Sequence, residues 1–120
     1  MWNGCGMKHK LRSRNIPAAV VRRAKEIKLL VLDVDGILTD GRLVYGPGGQ
    51  EFTAFHILDG HGIKLAIRCG LSLALITGRE SEAVAQRARE LGILEIHQKA
   101  LDKLSVFQDL LARSSLAASQ

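Results

Sequence analysis

Three apolar runs and the helical spacings between them order the chain. Residues 29–34, LLVLDV, are apolar apart from Asp33. An unbroken run of this length is the pattern of a strand buried on both faces of a parallel sheet. Residues 71–77, LSLALIT, and 93–97, ILEIH, repeat it as a second and a shorter third strand. Between the first two, RLVY and EFTAFHI flank Gly46-Pro47-Gly48-Gly49 in the span 41–57. Their loose alternation predicts a β-hairpin with a long tip.

Helical stretches fill the rest. Pro17 opens a short helix over 17–28, with Ala18, Val21, Ala24 and Lys25 on one face. Asp59-Gly60 punctuates, and HGIKLAIRCG then reads as a helix closed by Gly70. A third helix spans 80–91 and ends at Gly92; Ser81 or Thr77 is its candidate cap, and Glu80 and Glu82 suit its positive end. LDKLSVFQDLLARS is a fourth, with Leu104, Phe107, Leu110 and Leu111 at helical spacing. Strands alternating with helices predict an α/β fold: a Rossmann-like, three-layer parallel sheet with helices on both faces. Ligands of such sheets sit at the carboxyl ends of the strands.

Composition bounds this picture. The 120 residues fit one domain, and a hydrophobic share of 47% with 24% charged is an ordinary globular balance. No stretch approaches the ~18 apolar residues of a membrane span. The basic start lacks the apolar core of an export signal, so a cytoplasmic location is expected. The net charge of +5 would suit nucleic acid, but it is unevenly placed. Residues 1–28 carry eight Lys or Arg against Glu26 alone, while 29–120 carry nine against eleven acids. The basicity belongs to a leader with no interleaved aromatics after Trp2, so no nucleic-acid partner is expected. Met7 is an alternative start.

The chemistry concentrates in DVDGILTDG. Asp33 and Asp35 stand at i, i+2 at the end of the first strand, where extended backbone turns both to one side. Carboxylates that close repel unless a cation or proton intervenes, and a hard cation such as Mg²⁺ takes oxygen ligands. Thr77, at the end of the second strand, can donate its hydroxyl to a phosphoryl oxygen beside Gly78. Lys103, at the start of the last helix, is placed against the dipole and is better tolerated facing an anion. Lys99 competes with it for that position.

This DVDG run resembles the first motif of the haloacid dehalogenase superfamily of phosphohydrolases, Thr77-Gly78-Arg79 its second and Asp102-Lys103-Leu104 its lysine motif. The resemblance implies Asp33 as nucleophile, Asp35 as general acid and base, Thr77 and Lys103 on the phosphoryl group, and Mg²⁺ on Asp33 and Asp35. The stretch from Asp33 to Leu71 narrows the likeness to 3-deoxy-D-manno-octulosonate 8-phosphate phosphatases, small members with no separate cap domain. It implies a projecting hairpin that pairs subunits in a homotetramer, and a role in making the inner-core sugar of lipopolysaccharide. It also implies an acidic sugar phosphate held near Asp35, His56, Ile57, Leu58, Asp59, Gly60, Lys64, Gly78, Arg79, Arg87 and Lys103. Taken singly, Lys64 and Arg87 read equally well as solvated helix charges.

Two departures stand out. Leu58 is apolar where some relatives have a basic residue. No acidic pair follows in DLLARSSLAASQ, although the family carries a fourth, metal-binding motif on a later strand. The expectation is a basic extension over 1–28 and a phosphatase domain over 29–120 that stops short of this motif. A phosphatase of a nine-carbon acidic sugar phosphate and an inactive subunit-interaction fragment are the alternatives.

Overall fold

The computed structural model describes residues 16–120; most of the basic leader, and Met7, lie outside them. The elements run α1 (Ala18–Ala24), β1 (Leu29–Leu32), β2 (Val44–Tyr45), β3 (Glu51–Phe52), α2 (Ile57–Arg68), β4 (Ser72–Ile76), α3 (Glu82–Leu91), β5 (Glu95–His97) and α4 (Lys103–Ser114). β1, β4 and β5 form a parallel sheet in that order, and β2 pairs antiparallel with β3.

The three apolar runs become the three parallel strands, and the register follows from their length. Leu29 to Leu32 pair with Ser72 to Leu75, and Ala74 to Ile76 with Glu95 to His97. β4 is central, with Leu73 to Ile76 all buried. Leu73 and Leu75 join Ile63, Val84, Ala88 and Leu91 in the main core, beneath α2 and α3. Alternation turns Ala74 and Ile76 to the other face, where α4 packs and Leu110 is buried. Burying each such aliphatic side chain contributes about 1.5–3 kcal/mol. Helices therefore cover both faces, as the alternating pattern predicts. Among the described residues, no helix is long and apolar enough to cross a membrane.

Both glycine stops are borne out. The N–H of Gly70 donates to Ile67 and that of Leu71 to Ala66, and Gly92 and Ile93 repeat the pattern on Arg89 and Ala88. The left-handed φ of 81° at Gly92 is what this closure needs, and glycine adopts it without strain.

Several expectations change. β1 ends at Leu32, two residues early, and lies at an edge of the described sheet, so Leu30 is 39% exposed. The buried-strand pattern fits β4 better, because only the central strand has a neighbour on each side. The first helix is shorter than predicted, 18–24, and buries no residue. The hairpin is also short, with two residues in each strand around a turn at 47–49.

Asp59-Gly60 does not break the chain. α2 starts at Ile57, two residues before that punctuation, because His56 caps it: its Nδ1 accepts the Leu58 N–H at 3.1 Å. Asp59 then suits the first turn. Ser81 takes the N-cap position of α3, as predicted, but its side chain makes no capping hydrogen bond. The Ser81 N–H instead donates to Oε1 of Gln98 at 2.6 Å, and Glu80 lies before the helix, paired with Lys99. Leu104 is 64% exposed, since α4 meets the sheet only in its later turns, through Leu110 with Phe107 and Leu111 half-buried.

Candidate active site

The carboxyl ends of β1, β4 and β5 gather the three motifs. β1 delivers Asp33, and the chain then folds into a turn in which Val34, 1% exposed, is the anchor. Its carbonyl accepts the N–H groups of Ile37, Leu38 and Thr39. Asp33 directly follows β1, at the strand end as predicted, but Asp35 lies in the turn, so the strand alternation does not govern the pair. The turn is fastened by Thr39, whose Oγ1 accepts the N–H groups of Gly36 and Gly41, each at 3.2 Å.

Asp33 has two firm partners. Its Oδ1 accepts the Val34 N–H at 2.7 Å, and its Oδ2 accepts from Nζ of Lys103 at 2.8 Å. Partial burial pushes the Asp33 carboxyl up, but the Lys103 hydrogen bond, the Val34 N–H and the Lys103 charge outweigh it. The net result is a carboxylate held below its ordinary range, ionised and available as a nucleophile. Lys103 reaches it from the first turn of α4. Asp102 makes this possible by capping that helix, its Oδ1 accepting the Ser105 N–H at 3.1 Å. Lys99, the competing lysine, pairs instead with Glu80 at 2.6 Å.

Thr77 closes β4. It is 2% exposed, its N–H donates to the His97 carbonyl at 2.9 Å, and its carbonyl accepts the Ala100 N–H at 3.0 Å. A further bond from the Lys99 N–H to the Arg79 carbonyl joins the same two loops. The loops after β4 and β5 thus form one fastened ledge beside Asp33. A Cβ built on Gly78 meets only the Ala100 carbonyl oxygen, at 3.9 Å, which leaves the rest of its surroundings open.

Arg79 leans the other way. Its NH1 donates to Asp35 Oδ1 at 3.3 Å and its NH2 to Glu51 Oε2 at 2.5 Å. Desolvation lowers the guanidinium, and the two carboxylates more than compensate, raising it further above its ordinary value. Asp33, Asp35, Thr77, Gly78, Arg79 and Lys103 are thus brought to one end of the sheet.

The remaining predicted residues lie in two other places. His56, Leu58 and Asp59 line a cavity of about 490 Å³ with Ile37 to Asp40, Ala54 and Phe55, adjoining the Asp35 turn. Ile57 is 81% exposed beside them. Lys64 and Arg87 gather around Glu90 between α2 and α3. Arg87 also lies 5.9 Å over the Phe55 ring and passes close against Gly60, where a side chain would collide with it. Leu91 Cδ2 crowds the same position at 3.1 Å.

Thr39, Glu51 and Gln98 are the residues that sequence reasoning missed. Thr39 stands between Gly36 and Gly41, a spacing that marks a tight turn. Glu51 and Gln98 have no local signal, because their partners are 28 and 17 residues away.

Asp33 and Asp35 offer hard oxygen donors of the kind Mg²⁺ prefers. Among the described residues no group of three or more His, Cys, Asp or Glu is clustered as a metal site. The fit rests on the oxygens of these two aspartates.

The sheet order, the motif positions and the solved structures agree on the class. The chain superposes on a hydrolase assigned to HAD superfamily subfamily III A from Legionella pneumophila with a TM-score of 0.79 at 37% identity, over 82% of this chain and 54% of that one. The fold is the α/β fold of the haloacid dehalogenase type. Within that class the sequence is homologous to 3-deoxy-D-manno-octulosonate 8-phosphate phosphatases. It is 41% identical over 102 residues to the Escherichia coli K12 phosphatase KdsC, 85% of this chain and 54% of that protein. It matches the Moraxella catarrhalis enzyme, solved with magnesium, phosphate and KDO, with a TM-score of 0.81 at 41% identity, over 87% of this chain and 60% of that one. The chain spans about half the length of the curated relatives it matches. No protein-family model matches it.

Proposed function

We propose that this chain provides the core of a Mg²⁺-dependent phosphatase that hydrolyses 3-deoxy-D-manno-octulosonate 8-phosphate to the sugar acid and phosphate. The observation that carries the reading is the ion pair between Asp33 and Lys103 at the carboxyl ends of the strands. An ionised carboxylate beside an ammonium is what attack on a phosphorus centre requires.

In the proposed reaction Asp33 Oδ attacks phosphorus, and the bond from phosphorus to the sugar oxygen breaks. Asp35, which takes up a proton as the substrate enters, gives that proton to the sugar oxygen. Asp35 then takes a proton from water, whose oxygen attacks the aspartyl-phosphate, releasing phosphate and restoring Asp33. Lys103 offsets charge on the nucleophile and the phosphoryl group, and the Thr77 hydroxyl with Gly78 orients the phosphoryl oxygens. The Asp33 carboxylate and the Asp35 backbone carbonyl would hold Mg²⁺, which supplies charge neutralisation when bound and leaves the Asp35 side chain free for proton transfer. The segment His56 to Gly60, with Lys64, Arg79 and Arg87, would receive the acidic sugar.

This reading extends to a homotetramer paired through the hairpin, a cytoplasmic location, a place in making the lipopolysaccharide inner core, and a basic extension over 1–28 ahead of the catalytic domain over 29–120. Exposed Val44, Tyr45 and Phe52 on the hairpin support the pairing, since two short strands are marginal alone. Phosphate release from the octulosonate phosphate, with and without Mg²⁺, tests the activity. Release is expected only with the metal and not in Asp33→Asn. A preference for a nine-carbon acidic sugar phosphate would move the substrate without moving the mechanism.

A further inference from the structure

We propose that Glu51 is a specificity-determining residue that competes with the substrate's acid group for Arg79. The inference rests on the phosphatase reading above and deepens it. Arg79, one residue beyond Gly78, reaches Asp35 of the aspartate pair. Both terminal nitrogens of its guanidinium are already engaged by carboxylates, NH1 by Asp35 and NH2 by Glu51. Its backbone is tied to the neighbouring loop through Lys99, so exchange of partners falls to the side chain.

The two carboxylates are not equivalent. Asp35 belongs to the reaction and stays. Glu51 comes from the hairpin, opposite Tyr45 in the register, and has no role in the chemistry. A hairpin closed by the bond from the Gly46 N–H to the Gln50 carbonyl, 2.7 Å, holds it in place. An arriving carboxylate or phosphate oxygen can replace Glu51 charge for charge. A neutral hydroxyl cannot, because it would leave the Arg79 guanidinium without its second anion. Arg79 therefore opens to acidic ligands and stays closed to neutral ones. Glu51 and Arg79 remain partly exposed, so the exchange needs no unfolding.

Calorimetric titration of the full chain with orthophosphate at low salt tests this. Glu51→Gln is expected to lower the dissociation constant about two- to fivefold, the scale of a partly exposed ion pair. The gain is expected to vanish in an Arg79→Met background and to be absent in Glu80→Gln, which removes a nearby charge not paired with Arg79. No gain in Glu51→Gln, or an equal gain in the Arg79→Met background or in Glu80→Gln, overturns the inference. If Lys103→Met weakens phosphate binding while Glu51→Gln leaves it unchanged, the inference fails and the phosphatase reading stands. If neither variant has an effect, both fail.

Discussion

Lys103 Nζ lies 2.8 Å from Asp33 Oδ2, joining residues 70 apart in the chain. The bond links the first turn of α4 to the residue that follows β1.

The pair sets the acid response of the site. The Asp33 carboxyl is held below the ordinary 3.8 of an unfolded chain, so the unfolded state binds more protons near that pH. Its contribution to stability is present above the ordinary value and is lost as pH falls through the lower folded value. Lys103→Met is expected to move the Asp33 midpoint upward in a ¹³C carboxyl titration. An unmoved midpoint would show that Lys103 does not govern this charge.

Gln98 is the device that holds the loop after β5 to the start of α3. Gln98→Leu leaves the Ser81 N–H without its acceptor and is expected to cost about 1–2 kcal/mol in urea unfolding. Gln98→Glu keeps an acceptor oxygen at the positive end of the helix and is expected to restore most of it. Equal losses in both variants would assign the effect to packing alone.

The two glycines within α2 are expected to respond in opposite ways. Gly62 has nothing within 4 Å of a built Cβ, so Gly62→Ala stabilises by about 0.5–1 kcal/mol through helix propensity. At Gly60 a Cβ meets the Arg87 guanidinium and lies 3.1 Å from Leu91 Cδ2. Gly60→Ala is expected to fall about 1–3 kcal/mol below Gly62→Ala in thermal or urea unfolding, because Arg87 and Leu91 must shift.

Lys99 adopts a left-handed φ of 55° in the fastened ledge. Lys99→Gly removes the crowding of its Cβ at the expense of an exposed ion pair with Glu80. A net gain of up to about 1 kcal/mol is expected, read as a raised midpoint of unfolding.

What the sequence made legible follows from range. LSLALIT marks the central strand because four of its five strand residues, Leu73 to Ile76, are constrained by burial. Gly70 and Gly92 marked helix ends because their conformation is a local demand. Asp33, Thr77 and Lys103 were found as motifs, each at a strand end or helix start. The tertiary pairings were not legible: Glu51 on Arg79, Gln98 on Ser81 and Arg87 across Gly60 depend on elements brought together only by folding. The start of α2 is hidden for a related reason: the imidazole nitrogen of His56 caps the helix where Asp59-Gly60 suggests a break.

The central claim is that Asp33 carries the phosphoryl group during turnover. Rapid acid quench of the chain reacting with 3-deoxy-D-manno-octulosonate 8-phosphate and Mg²⁺, followed by peptide mapping by mass spectrometry, reads this directly. The expected result is a phosphoryl group on the peptide containing Asp33, absent in Asp33→Asn. Phosphate release that continues with that peptide unmodified, or that survives Asp33→Asn, would contradict it.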